Sequence, residues 1–493
     1  MTNNKRQLTP DRLKRDISNL FGSRHTSDRQ CVGIEVEFAP FKKGKGEKGE
    51  AARFTTEGKT GVLDMLVEGF SDHDAIWHSP TKEGVPRFLT RAGGTITFEP
   101  GGQVEYSSSA SCKFPEVVEE VSYYISQIDR VLSKESIWLF FGGFNPWYSV
   151  ADIGLQIDKE RYVHMDRFFR SVGIHGQKMM RLSCSTQVNL DVGREEIMME
   201  RWLAGNLLTP VIAAIFGNTP FCDGKNSGAK SYRTLVWQNL DDSRTGFVGD
   251  LSAIETRRDI ESAYFDFAMN AKVIMLPDKA GRWGYRTNRV SFAEWNENGF
   301  NDIYPNADSW KDHLTTLFPN VRPKGFFEFR AIDGQSHIWW LVPTIMLSRL
   351  LYDSTARKRI IELLLPYAGQ LSDMQWKASI MGVSAFPHLC REIAHLSLRS
   401  DQFAIDETLL NYLELFCEMY PLNGRNPADD LLSLNFGSIF TPSQFRDYES
   451  RLLERVEPPE AVLLSNRSDS ATKEEMTKKL EPTLPPEGTK PCC

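Results

Sequence analysis

A chain of 493 residues with 41% hydrophobic side chains has the material for a large buried core. Its net charge of -7 leaves no global basic field to hold a nucleic-acid backbone, so nucleic acid is excluded as an expected partner. The eight cysteines form no CxxC pair and no Cys/His cluster at zinc-site spacing, and scattered thiols of this kind read as reduced and cytoplasmic.

No membrane partner is expected either, because MTNNKRQLTPDRLKRD lacks the apolar core of a signal peptide and the longest near-apolar stretch, around Ile338 to Leu347, is too short to span a bilayer. The first predicted element is a helix from Thr9 to Phe21, opened by Thr-Pro-Asp, with Leu13, Ile17, Leu20 and Phe21 at helical spacing. Residues 1–24 are read as a helical segment ahead of one main domain over 25–456. The strand GIEVEF runs into FKKGKGEKGEAARF, a surface loop whose GxG spacing is no phosphate cradle because it does not join a strand to a helix. GTITFEPGGQVEYSS reads as two strands broken by a turn at Pro100-Gly101-Gly102. A helix from Pro115 follows, with Val118, Val121, Ile125, Ile128 and Leu132 along one stripe. SIWLFFGGFNP is a candidate buried strand, and SCSTQVNLD is another that leads into an apolar helical region from Met198 to Phe216. An amphipathic helix fits Ile260 to Ala271, and WWLVPTIMLSRLLY, after FFEFRAIDG, fits a buried helix with Pro343 near its start. Hairpins mixed with long helices, without regular strand-helix alternation, predict an α+β fold. Residues 457–493, poor in aromatics and rich in Pro, Ser, Lys and Glu, are read as a disordered tail.

Four of these stretches alternate polar with apolar side chains, and their polar positions hold acids, amides and one arginine. They centre on Glu35 and Glu37, on Gln103 and Glu105 with Glu99 just before the turn, on Gln187, and on Glu328 and Arg330. Successive side chains of a strand point to opposite faces, so each stretch presents its polar atoms on one side. An isolated Glu-x-Glu on a strand is most often a solvated face. Here the other side of the strand is firmly apolar, with Ile34, Val36 and Phe38, and in a shared sheet the five carboxylates would repel one another unless a cation held them. Oxygen ligands without thiolate or imidazole suit Mg²⁺ or Mn²⁺ rather than zinc, and Gln187 completes such a shell without adding charge.

Carboxylate faces of this type recur where phosphates are held, and Arg161, Arg233, Arg244 and Arg330 are candidate guanidinium forks for them. For a lone arginine a surface salt bridge is the commoner use, but the strand period puts Arg330 on the same face as Glu328. No GxSxG elbow, Walker A or HExxH string occurs. His164 reads as a structural or surface histidine, and Cys184 falls on the apolar side of its strand as a buried filler, so covalent catalysis is not indicated.

On these residues the chain resembles the glutamate-cysteine ligase family of the plant and proteobacterial kind, and is most similar to the actinobacterial branch that supplies γ-glutamylcysteine for ergothioneine. The matching strings are GIEVEF, EPGGQVEYS, ERYVHMDRFF, MMRLSCSTQVNLD, FGNTPFCDGKNSG, SYRTLVW, DDSRTG, HLTTLFPNVRPKGFFEFRAID and WWLVP, in family order. The resemblance implies a glutamine-synthetase-like fold, a curved antiparallel sheet with helices packed on one side. It also implies that ATP phosphorylates the γ-carboxylate of L-glutamate and that the amine of L-cysteine then displaces phosphate. Glu35, Glu37, Glu99, Glu105, Gln187 and Glu328 would hold magnesium ions around the ATP phosphates. Arg161 and Arg330 would stabilise the transferring phosphoryl group, Arg233 would bind a substrate carboxylate, and Arg244 would contact nucleotide or substrate. Where the family string reads ELSG or ELST this chain has Glu105-Tyr106-Ser107-Ser108, with Tyr106 expected on the apolar side. Where TCSVQVN or TASVQVN is usual it has Ser183-Cys184-Ser185-Thr186-Gln187, a change that bears on the acceptor amine more than on the ATP chemistry. Two alternatives stay open: a γ-glutamyl ligase with another amine acceptor in natural-product biosynthesis, and a non-catalytic binding relative.

Overall fold

The alternation in GIEVEF forms the central strand, β1 (Val32–Lys42). In the computed structural model, which describes residues 8–22, 28–42, 49–58, 60–70, 76–78, 86–434, 439–460 and 462, β1 is shared by two sets of neighbours. Its first half lies between β6 (Val104–Ser107) and β8 (Thr186–Asp191), with Glu35 opposite Ser107 on one side and Gln187 on the other. Its second half pairs with β2 (Glu50–Ala51) and β7 (Ile137–Phe140). Beyond β8 come β10 (Phe326–Phe329) and then β9 (Val321–Pro323). Beyond β6 come β5 (Thr95–Phe98), β4 (Phe88–Thr90) and β3 (Ile76–His78). All pairings in this ten-stranded sheet are antiparallel. The four polar-faced stretches are therefore consecutive, in the order β10, β8, β1, β6, and the α+β expectation holds.

The apolar positions of the same strands, Ile34, Val36, Phe38, Val104, Val188 and Leu190, are buried on the other face. Helix Phe114–Leu132 lies behind them with Val117, Val121, Ile125 and Ile128 buried, and its Pro115 sits where a missing N–H costs no hydrogen bond. Tyr106 is buried on this side as expected; its hydroxyl donates to Glu120 Oε1 (2.7 Å) and its ring stacks on Tyr124. Helix Glu195–Ile215 brings Trp202 within 5.5 Å of Phe327, ring to ring. Each aliphatic or aromatic side chain buried this way contributes about 1.5–3 kcal/mol. That helix begins a turn earlier than the predicted Met198, because it is apolar over most of its surface and its start is marked by Glu195 and Glu196 rather than by a stripe. Helices Arg257–Asn270 and Val342–Tyr352 form where periodicity placed them.

The N-terminal helix, Pro10–Leu20, is capped by Thr9 Oγ1, which accepts from the Arg12 N–H at 3.3 Å. It belongs to the main core: Leu13, Ile17 and Phe21 are buried there, with Phe21 5.2 Å from the Trp202 ring. At the other end Val462 is buried and its carbonyl accepts from Trp340 Nε1 (3.2 Å), so the packed chain continues past 457. The remainder of the tail, residues 461 and 463–493, lies outside the described residues, as does 43–48 of the Gly-rich loop. No helix among the described residues is long and apolar enough to cross a membrane.

One expectation is corrected. Cys31 and Cys112, read as separate reduced thiols, are joined as a disulfide. They are 81 residues apart in sequence, but Val32 and Ser111 bridge the start of β1 to the segment after β6 and bring the two cysteines side by side. Among the other described cysteines, Cys184, Cys390 and Cys417 are buried and free, and burial pushes the Cys184 thiol well above its ordinary value, in keeping with a filler role.

Candidate active site

The polar face of β10, β8, β1 and β6 floors a cavity of 670 Å³. Glu35, Glu37, Glu99, Glu105, Gln187, Arg161, Arg233 and Arg330 all line it. Glu35 and Glu37 come from β1, Glu105 from β6 and Gln187 from β8 by strand alternation. Glu99 is placed by the turn between β5 and β6, where the Glu99 N–H donates to Gln103 O (2.9 Å) and the Gly102 N–H to Glu99 O (2.8 Å). Gly102 holds φ +83°, and a Cβ on Gly101 would stand 2.3 Å from the Arg181 carbonyl, so both glycines are required by this turn.

Four carboxylates share an excess of buried negative charge. Burial, then Glu328 and Glu105, push Glu35 up to about 7. Burial also raises Glu37, against the pull of Arg233, and its oxygens accept from the Ser185 N–H (2.7 Å) and Gln187 Nε2 (3.2 Å). Glu99 is raised well above the ordinary carboxylate value by burial, Glu105 and Glu37. Glu105 is raised by burial and Glu37 while accepting from Thr97 Oγ1 (2.7 Å) and Ser107 Oγ (3.1 Å).

Glu328 is the opposite case. Burial alone would raise it, but Arg322, Arg330 and Lys324 override that and hold it well below the ordinary value. Arg322 donates to both oxygens (2.6 and 2.9 Å), Lys324 Nζ to Oε1 (3.1 Å) and Arg330 Nη1 to Oε2 (2.6 Å). Arg330 Nη1 also donates to Gln187 Oε1 (2.7 Å). Glu328 and Gln187 are thus engaged by arginine; Gln187 lines the cavity, whereas Glu328, expected as a metal ligand, is wholly buried behind Arg322, Lys324 and Arg330 and does not line it.

Arg233 is buried at the start of helix Tyr232–Gln238, where its Nη2 donates to the Arg330 carbonyl (2.9 Å). Ser231 caps that helix and donates to Asp333 Oδ1 (2.9 Å), a buried acid that also accepts from Thr219 Oγ1 and the Asn218 N–H. Arg161, on helix Glu160–Val172, donates to Thr315 O (3.2 Å). The Nε atoms of Arg161, Arg233 and Arg330 are buried without a hydrogen-bond partner among the described residues, as are Gln103 Oε1 and Asn189 Oδ1. Buried polar atoms left this way are donors and acceptors available to a ligand.

Arg244 is not brought to the cavity. It is wholly buried elsewhere and spends its donors on Asp241 (2.9 Å), the Thr316 carbonyl (3.0 Å) and hydroxyl (3.2 Å), and the Lys272 carbonyl. Its partners, 28 and 72 residues away, make it a structural clamp. His164 is structural too, with Nδ1 accepting from the Tyr285 N–H (3.0 Å). Arg322, Lys324 and Asn189 are site residues not picked out in the sequence. Their signal was present: Arg322 pairs with Glu328 across the β9–β10 hairpin, and Asn189 is two residues beyond Gln187 on the same strand face.

The donor set fits hard divalent cations. Oxygen ligands dominate, the acids are raised by burial and by one another, and an amide oxygen is unsatisfied beside them. Among the described residues the acid face supplies no three ligand atoms within 4.8 Å of one another; that closeness occurs at Cys31, Cys112 and Asp191. Spread carboxylates match Mg²⁺, which takes one or two protein carboxylates plus substrate phosphates and water rather than a closed protein cage.

Residues 31–450 match glutamate-cysteine ligase family 2. The chain is similar to the chloroplastic glutamate-cysteine ligase of Medicago truncatula, 27% identical over 447 residues covering 86% of this chain and 82% of that one. It is 30% identical over 369 residues to the chloroplastic enzyme of Nicotiana tabacum, covering 71% and 67%. Among solved structures it is similar to the Francisella tularensis glutamate-cysteine ligase in complex with AMP, with 12% identity, a TM-score of 0.45 and coverage of 93% and 95%, a likeness that leaves the assignment to the sequence match. That match takes in every strand carrying the acid face, and the chain belongs to glutamate-cysteine ligase family 2.

Proposed function

We propose that the protein forms γ-glutamylcysteine from L-glutamate and L-cysteine with ATP, through γ-glutamyl phosphate. The observation that carries this is one cavity in which four charge-rich carboxylates face three arginines with unspent donors. Bound Mg²⁺ would neutralise the acid face and the phosphate oxygens together, with Glu35, Glu37, Glu99 and Glu105 as its carboxylate ligands. Arg330 is pinned by Glu328 and Gln187, and its remaining donors would meet charge on the transferring phosphoryl group, with Arg161 lining the same cavity. Arg233, buried and fixed through the Arg330 carbonyl, offers a guanidinium to a substrate carboxylate. The motif strings support placing the chain in the actinobacterial branch that feeds ergothioneine.

A second reading keeps the ATP and glutamate chemistry but takes a different amine, and it is favoured by the Ser and Thr residues around Gln187, since Ser183 and Ser185 line the cavity. ADP release measured with glutamate and a panel of amines separates the two. Turnover confined to cysteine supports the first reading, turnover with cysteine left out supports the second, and no turnover with any amine refutes both.

A further inference from the structure

Arg233 carries its charge where a charge is costly. It is 2% exposed. Burial lowers its hold on the proton, and Asp333 is the first of the charges that oppose this, ahead of Glu37. Asp333 is itself 1% exposed and is not among the residues that line the cavity. Its Oδ1 stands 4.0 Å from Arg233 Nη1, close enough to feel the charge but beyond hydrogen-bond length. Other donors keep that gap: Ser231 Oγ bonds Oδ1 (2.9 Å), while the Asn218 N–H (2.9 Å) and Thr219 Oγ1 (2.8 Å) bond Oδ2. The same hydroxyls hold the backbone around Arg233. Thr219 Oγ1 accepts from the Arg233 N–H (3.2 Å), and Ser231 Oγ accepts from the Thr234 N–H (3.1 Å) in the first turn of the helix that bears Arg233. On its other side Asp333 follows Arg330 by three residues and bridges to Ser185, whose N–H bonds Glu37. One carboxylate thus joins the segments that carry Arg233, Arg330 and the partner of Glu37.

We infer that Asp333 is a positioning residue for substrate binding: a counter-ion held just beyond hydrogen-bond length, it keeps Arg233 charged and aimed while leaving donors of the guanidinium to the carboxylate of L-glutamate. The inference rests on the proposed reading of Arg233 as the group that takes a substrate carboxylate. Two other arrangements would fail. An acid in a bidentate pair with Arg233 would spend the fork before substrate arrived. With no acid nearby, the guanidinium would stand buried and uncompensated in the empty site. The offset at Asp333 lies between the two, because Ser231, Thr219 and Asn218 saturate its oxygens and stop it from closing on the arginine. Arg233 Nε stays without a protein partner among the described residues, and of the Nη atoms Nη2 donates to the Arg330 carbonyl.

The test measures L-glutamate affinity by calorimetry on full-length protein with Mg²⁺ and ADP present, together with KM for L-glutamate and for ATP. Asp333→Asn keeps the shape and removes the charge. It is expected to weaken L-glutamate about tenfold in Kd and KM while KM for ATP stays within about twofold and the circular dichroism spectrum is unchanged. In an Arg233→Lys background the same change is expected to alter L-glutamate affinity less than about twofold, since Asp333 acts through the guanidinium. Ser231→Ala is the opposite manipulation: the acid stays, its Oδ1 is released toward Arg233, and L-glutamate should weaken about threefold as the acid becomes a competitor. Unchanged L-glutamate affinity in Asp333→Asn, or equal weakening of L-glutamate and ATP, overturns the positioning role. Should Asp333→Asn fail to fold, Ser231→Ala decides, and wild-type L-glutamate affinity there overturns it. A wild-type protein that neither binds nor turns over L-glutamate refutes the proposed activity and takes this inference with it, whereas a wild type that binds L-glutamate no better than Asp333→Asn does overturns the role of Asp333 alone.

Discussion

Glu35 and Glu328 lie on one sheet face, with β8 between their strands, and end at opposite proton affinities. The difference is the company each keeps: three cations bond Glu328, while Glu35 has the Asn189 amide (3.0 Å) and other acids. Because Glu35 is raised, the folded protein binds a proton that the unfolded chain would release, so its contribution to stability is complete below the ordinary value of 4.5 and is lost as pH rises through about 7. Magnesium, in the proposed site, would compete with that proton. The gain in Tm on adding Mg²⁺ is expected to be larger above pH 7 than below it, and thermal unfolding of wild type and Glu35→Gln checks this, the variant losing most of the difference. Arg330→Lys keeps the charge and loses the fork, and kcat is expected to fall about 100- to 1000-fold with the circular dichroism spectrum unchanged; near-wild-type turnover would take Arg330 out of the phosphoryl site. Arg244→Ala leaves the buried Asp241 short of its main partner, so urea titration should show a loss of about 3 kcal/mol while KM values of the folded fraction stay put. A raised KM with unchanged stability would return Arg244 to the substrate-binding group.

At the level of elements, the period-two alternation made most of the site legible, because a strand with a buried side has its other side determined. Glu35, Glu37, Glu105, Gln187, Glu328 and Arg330 follow from that rule, and Arg322 and Lys324 obey it across the β9–β10 turn as well. What alternation does not carry is register and partner choice. Nothing local ties Cys31 to Cys112, or Arg244 to carbonyls at Thr316 and Lys272, and those pairings had to be read from the folded chain. Turn geometry is an intermediate case: Pro100-Gly101-Gly102 marks the turn, but the approach of the Arg181 carbonyl to Gly101 is tertiary. Gly101→Ala should cost about 1–3 kcal/mol by overpacking and weaken Mg²⁺-dependent turnover by displacing Glu99. Gly102→Ala, where φ is positive but the nearest atom is 3.4 Å away, should cost about 1 kcal/mol. Equal costs in denaturant titrations would mean that the Arg181 contact is soft.

Across the described residues the main core runs from Leu8 to Val462, with a smaller cluster around Phe168, Phe169 and Ile274. Deleting 457–493 removes Val462 and the hydrogen bond from Trp340, and a loss of about 2 kcal/mol is expected by thermal or urea unfolding; an unchanged midpoint would show that the packed chain ends before Val462. The same breadth holds for the acid face, whose strands start at residue 32 and end at residue 329 in chain order while standing side by side in the sheet. Contacts of such long sequence separation are slow to form, since loop-closure entropy is lost before they are made. On the proposed function, the site would be complete only once β10 has docked beside β8. Magnesium nucleotide, on that function, would reward the finished topology alone, and its binding would signal that the last strand is home.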